Sequence, residues 1–212
     1  VWWWRRWISA CRLWRLIRWL KTQATALGSR PDLVGAMGIS SGGHQAMLIG
    51  MRPHDPRYVA LPLPAAAPAV DASLRFVVLC WPVIDPLGRY HYAKKLKESG
   101  EPYPDLVDSV LPCHDEYWQT ETAMAEGNPV LALESGERVE LPPALYVQGA
   151  EDLAHPRADL DRFVENYRRV GGQVELALYE GEGQAFVTRN ASSPAAGKAL
   201  EKIIAFVHQQ CQ

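Results

Sequence analysis

The sequence has no charge-free apolar run of about 18 residues, so a membrane-spanning helix is not expected. It also lacks the apolar h-region and small-residue cleavage site of a secretory signal, which makes the cytoplasm the expected location. Cysteine is scarce: Cys11, Cys80, Cys113 and Cys211 are widely spaced, with no C-x-x-C and no Cys/His cluster. That spacing argues against both a zinc site and a disulfide framework and mildly favours a reducing compartment. Charge of one sign is not in excess, with 22 Lys and Arg against 24 Asp and Glu. A formal charge of −2 gives no electrostatic case for nucleic acid or for an anionic membrane surface. There is no repeat of fixed period, and no cofactor or metal is expected. What remains is a chain of 212 residues, 48% hydrophobic and 22% charged, the composition of one globular domain with a sizeable core.

The first twenty residues, VWWWRRWISACRLWRLIRWL, stand apart from the rest, with Trp2, Trp3, Trp4, Trp7, Trp14 and Trp19 interleaved with five arginines. A basic Trp-rich helix can lie on a membrane surface or bind nucleic acid. The plainer expectation is a helix from about Cys11 to Leu27 with Leu13, Ile17 and Leu20 on one face, after an irregular start. Trp and Arg both have GC-rich codons, so a mis-called gene start is a further origin for the first dozen residues. On this reading 1–20 is an anomalous segment or artefact and 21–212 is the domain proper.

Beyond it, apolar runs alternate with helical patterns. Strands are predicted at 33–39, 74–81, 143–149 and 173–181, and helices at 45–51, at about 156–170 and at about 195–209. Near-continuous apolar strands separated by helices predict a parallel sheet covered on both faces, an α/β fold. The Pro/Ala-rich stretch 60–73 is a connection. Residues 82–142 form a long polar insertion with helical patterns at 92–98, 105–111 and 115–125, and an insertion of that length is expected to act as a lid over a site.

The stretch MGISSGGHQAM, residues 37–47, holds Gly38-x-Ser40-x-Gly42 between a predicted strand and a predicted helix. That is the context of a nucleophile elbow: a strained turn lifts the serine hydroxyl above the sheet. Side chains at positions 38 and 42 are expected to collide with their neighbours, hence glycine at both. The backbone N–H of Ser41, at the helix start, is placed to meet an oxyanion.

A serine needs a base, and the base an orienting acid. Asp152, in LYVQGAEDLAHP just past a strand end, is the acid candidate, with Glu151 its rival. His155 lies three residues on and is a candidate base by position. His44, one turn into the helix after Ser40, reads as a packing residue. His91 and His114 fall in the lid and His208 on the last helix.

From about Leu16 onward the chain resembles an α/β-hydrolase of the carboxylesterase and dienelactone-hydrolase-like type, on the strength of GISSGGH, GNPVLAL…LPPALYVQGAEDLAHP and YEGEGQAF. The resemblance implies a Ser–Asp–His triad with the base in the Y-x-G-x-x-H-x-F stretch after the last strand. Here that position is Gln184, whose amide cannot carry a proton near neutral pH. A His-Gly-Gly-Gly-like turn that would supply a second oxyanion donor is also missing, and so are strands that would precede the nucleophile strand. The resemblance therefore implies an N-terminally incomplete, mostly parallel sheet of four to five strands, whose open edge could pair with another chain. It implies a serine hydrolase acting on a small-molecule carboxylic ester through Ser40, impaired by Gln184 unless His155 substitutes. The alternatives are a non-catalytic relative that binds a small molecule or a partner, and a peptidase similar to prolyl oligopeptidase.

Overall fold

The computed structural model describes residues 2–64, 69–100, 102–103 and 105–212, and the side chains of 2–10 and 106 lie outside the description. Trp2, Trp3, Trp4 and Trp7 are therefore known by backbone only, and the 60–73 connection falls partly outside the described residues.

Four parallel strands, β1 (Ala36–Ile39), β2 (Val77–Cys80), β3 (Ala144–Gly149) and β4 (Val174–Tyr179), lie side by side in chain order. β1 pairs Gly38 with Leu79, β2 pairs Leu79 with Tyr146, and β3 pairs Tyr146 with Leu176. Because side chains alternate across a strand, one sequence run feeds two cores. Val77, Leu79, Ala144 and Tyr146 face one layer with Met47, Phe163 and Trp14. Val78, Cys80, Leu145 and Val147 face the other, with Phe76, Ile203 and Phe206. Helices α1 (Trp2–Gln23), α2 (Ser41–Met51), α6 (Pro129–Glu134) and α7 (Arg157–Arg169) contribute to the first core, and α8 (Phe186–Arg189) and α9 (Pro194–Gln210) contribute to the second. The predicted strands were each trimmed to their hydrogen-bonded centres, and four strands formed.

The N-terminal segment departs from expectation. Its helix begins at Trp2 rather than near Cys11 and ends at Gln23. Cys11, Trp14, Ile17, Lys21 and Ala24 form the buried stripe, while Leu13 packs only partly and Leu16 and Trp19 are exposed. Trp14 stacks on Tyr58 with ring centroids 4.5 Å apart and donates Nε1–H to the Arg52 carbonyl at 2.9 Å. The helix thus crosses position 20 without a break and supplies the main core. Among the described residues no helix is long and apolar enough to cross a membrane.

The insertion after β2 contains α3 (Pro86–Ser99), α4 (Leu106–Trp118), α5 (Glu121–Glu126) and α6. The predicted break near residue 112 is absent: α4 runs through Pro112 because Val107, Val110, His114 and Trp118 form one buried stripe at helical spacing. The real break is at Gln119, in the left-handed region at φ 62°, followed by Thr120, which caps α5 by accepting from Ala123 N. The sequence reading missed α6 although Asn128-Pro129 announces it, since Asn128 accepts from the Val130 and Leu131 amides and Pro129 needs no donor there.

On the sheet's open side, β1 shows Met37 and Ile39 at 54% and 44% exposure. These are the residues that alternation turns away from the main core, and among the described residues no helix covers them.

Candidate active site

Ser40 sits at the junction of β1 and α2 with φ 52° and ψ −116°, a conformation that costs a non-glycine residue about 1–3 kcal/mol. The turn is held in place because Ser40 N donates to the Cys80 carbonyl and the Ser40 carbonyl accepts from Val83 N and His44 N. Gly38 is required by close approach: a Cβ there would lie 2.1 Å from the Gly42 carbonyl oxygen. The same reasoning fails at Gly42, where a Cβ would meet nothing within 4 Å. The second tight glycine is Gly43, whose Cβ would sit 2.8 Å from Pro82 Cβ and 3.0 Å from the Gly38 oxygen. Sequence reasoning placed the crowding one residue early because the pattern, and not the helix phase, chose the position. Ser41 opens α2, so its N–H has no acceptor within the helix and remains available beside Ser40.

The loop after β3 brings two side chains to Ser40. His155 Nε2 lies 3.2 Å from Ser40 Oγ, and His155 Nδ1 lies 2.9 Å from Asp152 Oδ2. A carboxylate only accepts, so Nδ1 carries the proton and Nε2 presents its lone pair to the serine hydroxyl. Asp152 does two jobs with its two oxygens. Oδ1 accepts from the Ala154 and His155 amides at 2.9 and 3.1 Å, closing an Asx-type turn that swings the His155 ring back over Oδ2. Gln148 donates to the His155 carbonyl at 3.0 Å, and Arg89 Nε donates to the Ala154 carbonyl at 2.7 Å, so the turn is braced from both sides. His155 is 3% exposed and Asp152 4%. Burial pushes the imidazole below its ordinary 6.5, against the upward pull of the Asp152 carboxylate, which keeps the ring neutral at pH 7. Hydroxyl, neutral imidazole and carboxylate in this order can move a proton off Ser40 onto Nε2 while the carboxylate steadies the resulting charge.

Glu151, the rival acid, is exposed. Gln184 is half-buried in the loop after β4, and among the described residues its side chain makes no hydrogen bond, so it forms neither of the contacts to Ser40 and Asp152 that its place in the motif would allow. That loop instead runs over Gly149, whose Cβ would lie 2.3 Å from the Glu182 oxygen. His44 is buried with Nε2 2.6 Å from the Gly127 carbonyl and its ring edge-on to Trp118, tying α2 to the insertion. His91 is exposed beside Glu121, and His208 is exposed on α9.

Above Ser40 opens a cleft of about 660 Å³, within the usual range for small-molecule sites. The insertion after β2 forms most of its wall through Ser109, Val110, Cys113, His114 and Tyr117, with Ser40, Ser41 and Arg89 at its floor and side. No group of three or more potential metal ligands occurs among the described residues.

A family model described as an alpha/beta hydrolase fold matches residues 10–188. The chain belongs to the α/β-hydrolase family. Among solved structures, this α/β-hydrolase is similar to the thermophilic esterase Est2 of Thermogutta terrifontis at 24% identity and TM-score 0.67, the match covering 94% of this chain and 63% of that one. The same esterase phosphonylated by sarin aligns at TM-score 0.69 and 24% identity, covering 94% and 65%. Carboxyl esterase 2 of Tuber melanosporum aligns at TM-score 0.68 and 18% identity, covering 93% and 60%. The chain therefore spans less than two thirds of the length of these relatives in fold. No match was found among the curated proteins.

Proposed function

We propose that this α/β-hydrolase cleaves carboxylic esters of small molecules through an acyl-enzyme on Ser40, with His155 as its base. The observation that carries the reading is the hydrogen-bonded series Ser40 Oγ, His155 Nε2 and Nδ1, Asp152 Oδ2 at the foot of an open cleft. As Ser40 Oγ bonds to the carbonyl carbon, its proton passes to His155 Nε2, and the carbonyl oxygen takes the negative charge against the Ser41 N–H. Collapse breaks the ester C–O bond, and the proton on Nε2 leaves with the alcohol. Water then repeats the sequence, giving up its proton to His155 while the acid is released from Ser40. Gln184 takes no part in this scheme, and the loss of a histidine there need not impair the enzyme. The strained turn at Ser40 supports the same reading, because it exposes the hydroxyl at a cost that only a use for it would retain.

The test is fluorophosphonate labelling and hydrolysis of an activated phenyl ester by the wild type, Ser40→Ala, His155→Ala and Gln184→His. The expected result is Ser40-dependent turnover that His155→Ala lowers by about 10³-fold or more and Gln184→His leaves within a few-fold. Turnover that survives His155→Ala, or that Gln184→His raises by orders of magnitude, would return the base to position 184. No labelling at all would favour the binding-module alternative, for which the open β1 edge is the specific observation. Cleavage of peptides in preference to esters would favour a peptidase.

A further inference from the structure

Arg89 is not used by the mechanism above as a reacting group, and its surroundings are unusual. It rises from the first turns of α3 to the wall of the cleft and is 9% exposed. Among the described residues no carboxylate lies within ion-pairing distance of it, and its Nε bond to the Ala154 carbonyl is its one side-chain hydrogen bond. The terminal guanidinium nitrogens thus have no protein acceptor, yet they are not among the sealed unpartnered atoms of the structure. Of the other buried or half-buried arginines, Arg52 pairs with Glu137 and Glu126 and Arg162 with Asp85 and Glu134, while the half-buried Arg18, away from the cleft, donates to the Val59 and Leu61 carbonyls.

A guanidinium that has lost most of its water without gaining an anion is an unfavourable arrangement unless something supplies the anion. Burial lowers its pKa, with the more distant Asp152 and Asp159 pulling the other way, but arginine stays charged. The neighbouring groups do not neutralise it. Asp152 is committed to His155 and two amides. His114, in the same wall, donates Nδ1–H to the Val110 carbonyl, and burial pushes its pKa down to about 4, so it stays uncharged. Glu116, also on the wall, is exposed to water. The side of the cleft nearest the turn that carries His155 therefore presents one desolvated, forked cation.

We propose that Arg89 selects esters carrying a free carboxylate, which its terminal nitrogens bind within the cleft while the ester carbonyl meets Ser40. The planar fork matches a carboxylate bidentately, a geometry that a simple alkyl ester cannot exploit. This selectivity rests on the ester-hydrolase reading. The carboxylate can belong to the acyl part, as in a half-ester of a dicarboxylic acid, or to the alcohol part, as in an acylated hydroxy acid. Both present the same group to Arg89.

The experiment compares kcat/KM of the wild type and Arg89→Gln for monoethyl glutarate, O-butyryl lactate and the uncharged ethyl pentanoate. The wild type is expected to favour at least one carboxylate ester over ethyl pentanoate. Arg89→Gln is expected to reduce that ratio about tenfold or more, and Arg89→Lys to restore part of it. Using a ratio cancels any common loss from the broken bond to Ala154. The ester whose ratio falls identifies the side on which the carboxylate sits. A wild type without preference for either carboxylate ester, or a ratio unchanged in Arg89→Gln, overturns the proposal. A parallel arm measures binding of monoethyl glutarate to Ser40→Ala and to Ser40→Ala/Arg89→Gln by saturation-transfer NMR. If no ester is turned over but binding still depends on Arg89, the catalytic reading fails and Arg89 is left as the carboxylate-binding residue of the cleft. If neither protein binds the half-ester, this one fails too.

Discussion

Asp159 lies on the first turn of α7, 9% exposed, close to Asp85 and behind Arg89. Burial, and then the charge of Asp85, push its carboxyl from 3.8 up to about 7, with Arg162 and Arg89 pulling weakly the other way. Asp85 accepts from Gly88 N, Asn128 Nδ2 and Arg162 Nη1, whereas the Asp159 side chain accepts no hydrogen bond among the described residues, so nothing offsets its burial in this way. The native state therefore holds a proton on Asp159 that the unfolded chain releases near pH 4. Stability falls with pH wherever the native state binds more protons than the unfolded state. The loss begins above about pH 4 and is complete above about pH 7. At about 1.4 kcal/mol per tenfold change in the ionisation equilibrium, a rise from 3.8 to about 7 is worth on the order of 4 kcal/mol. Asp159→Asn removes the ionisation at nearly constant shape. Urea unfolding followed by tryptophan fluorescence from pH 4.5 to 8.5 should show the variant gaining on the wild type as pH rises, by on the order of 2–4 kcal/mol across the range. Two parallel stability curves would refute the argument, and so would a wild type that grows relatively more stable above pH 7.

Further outcomes follow from the same structure. Because burial lowers the His155 pKa, the acid limb of kcat/KM for a neutral ester should have its midpoint below 6.5, with activity present above it, and a midpoint at or above 7 would contradict the desolvated ring. Gly38→Ala should unfold or insolubilise the protein, since its methyl would overlap backbone that cannot yield, whereas Gly42→Ala should leave the melting temperature unchanged or slightly raised; equal effects at the two sites would show that the turn is misdescribed. Trp14→Ala should cost about 3–5 kcal/mol by denaturant titration and Trp14→Phe clearly less, and a neutral Trp14→Ala would detach α1 from the core.

The sheet was the legible part of this chain. Strands buried on both faces must be apolar at nearly every position, so LRFVVLCW and PALYVQG declare themselves, and only their ends were overdrawn. The insertion was less legible because its helices bury narrow stripes, and a proline at 112 looks like a boundary until Val110 and His114 are seen on the same buried face. Ser40 and Asp152 were expected just past strand ends, and they lie after β1 and β3. The expectation about the base leaned on the family resemblance, which pointed past β4 to position 184. Asp152 and His155 three residues apart carried a local signal for the geometry, since an Asx-type turn folds the second side chain back on the first. Arg89 left no trace in the sequence, because a lone arginine on a polar helix is ordinary until the absence of an acid beside it becomes visible.

The placing of Asp152 and His155 in a single turn changes how many parts of the molecule must agree for the site to assemble. A hydroxyl, a ring and a carboxylate taken from three loops have two separate gaps to hold across the fold. Here the ring and the carboxylate travel together, and one long-range distance, from the β1–α2 junction to the turn after β3, sets the whole arrangement. Those two segments are separated by the single strand β2, to which β1 and β3 are both hydrogen-bonded. Disorder in β4 or in the loop beyond it therefore leaves that distance to be decided by the other three strands, β1, β2 and β3.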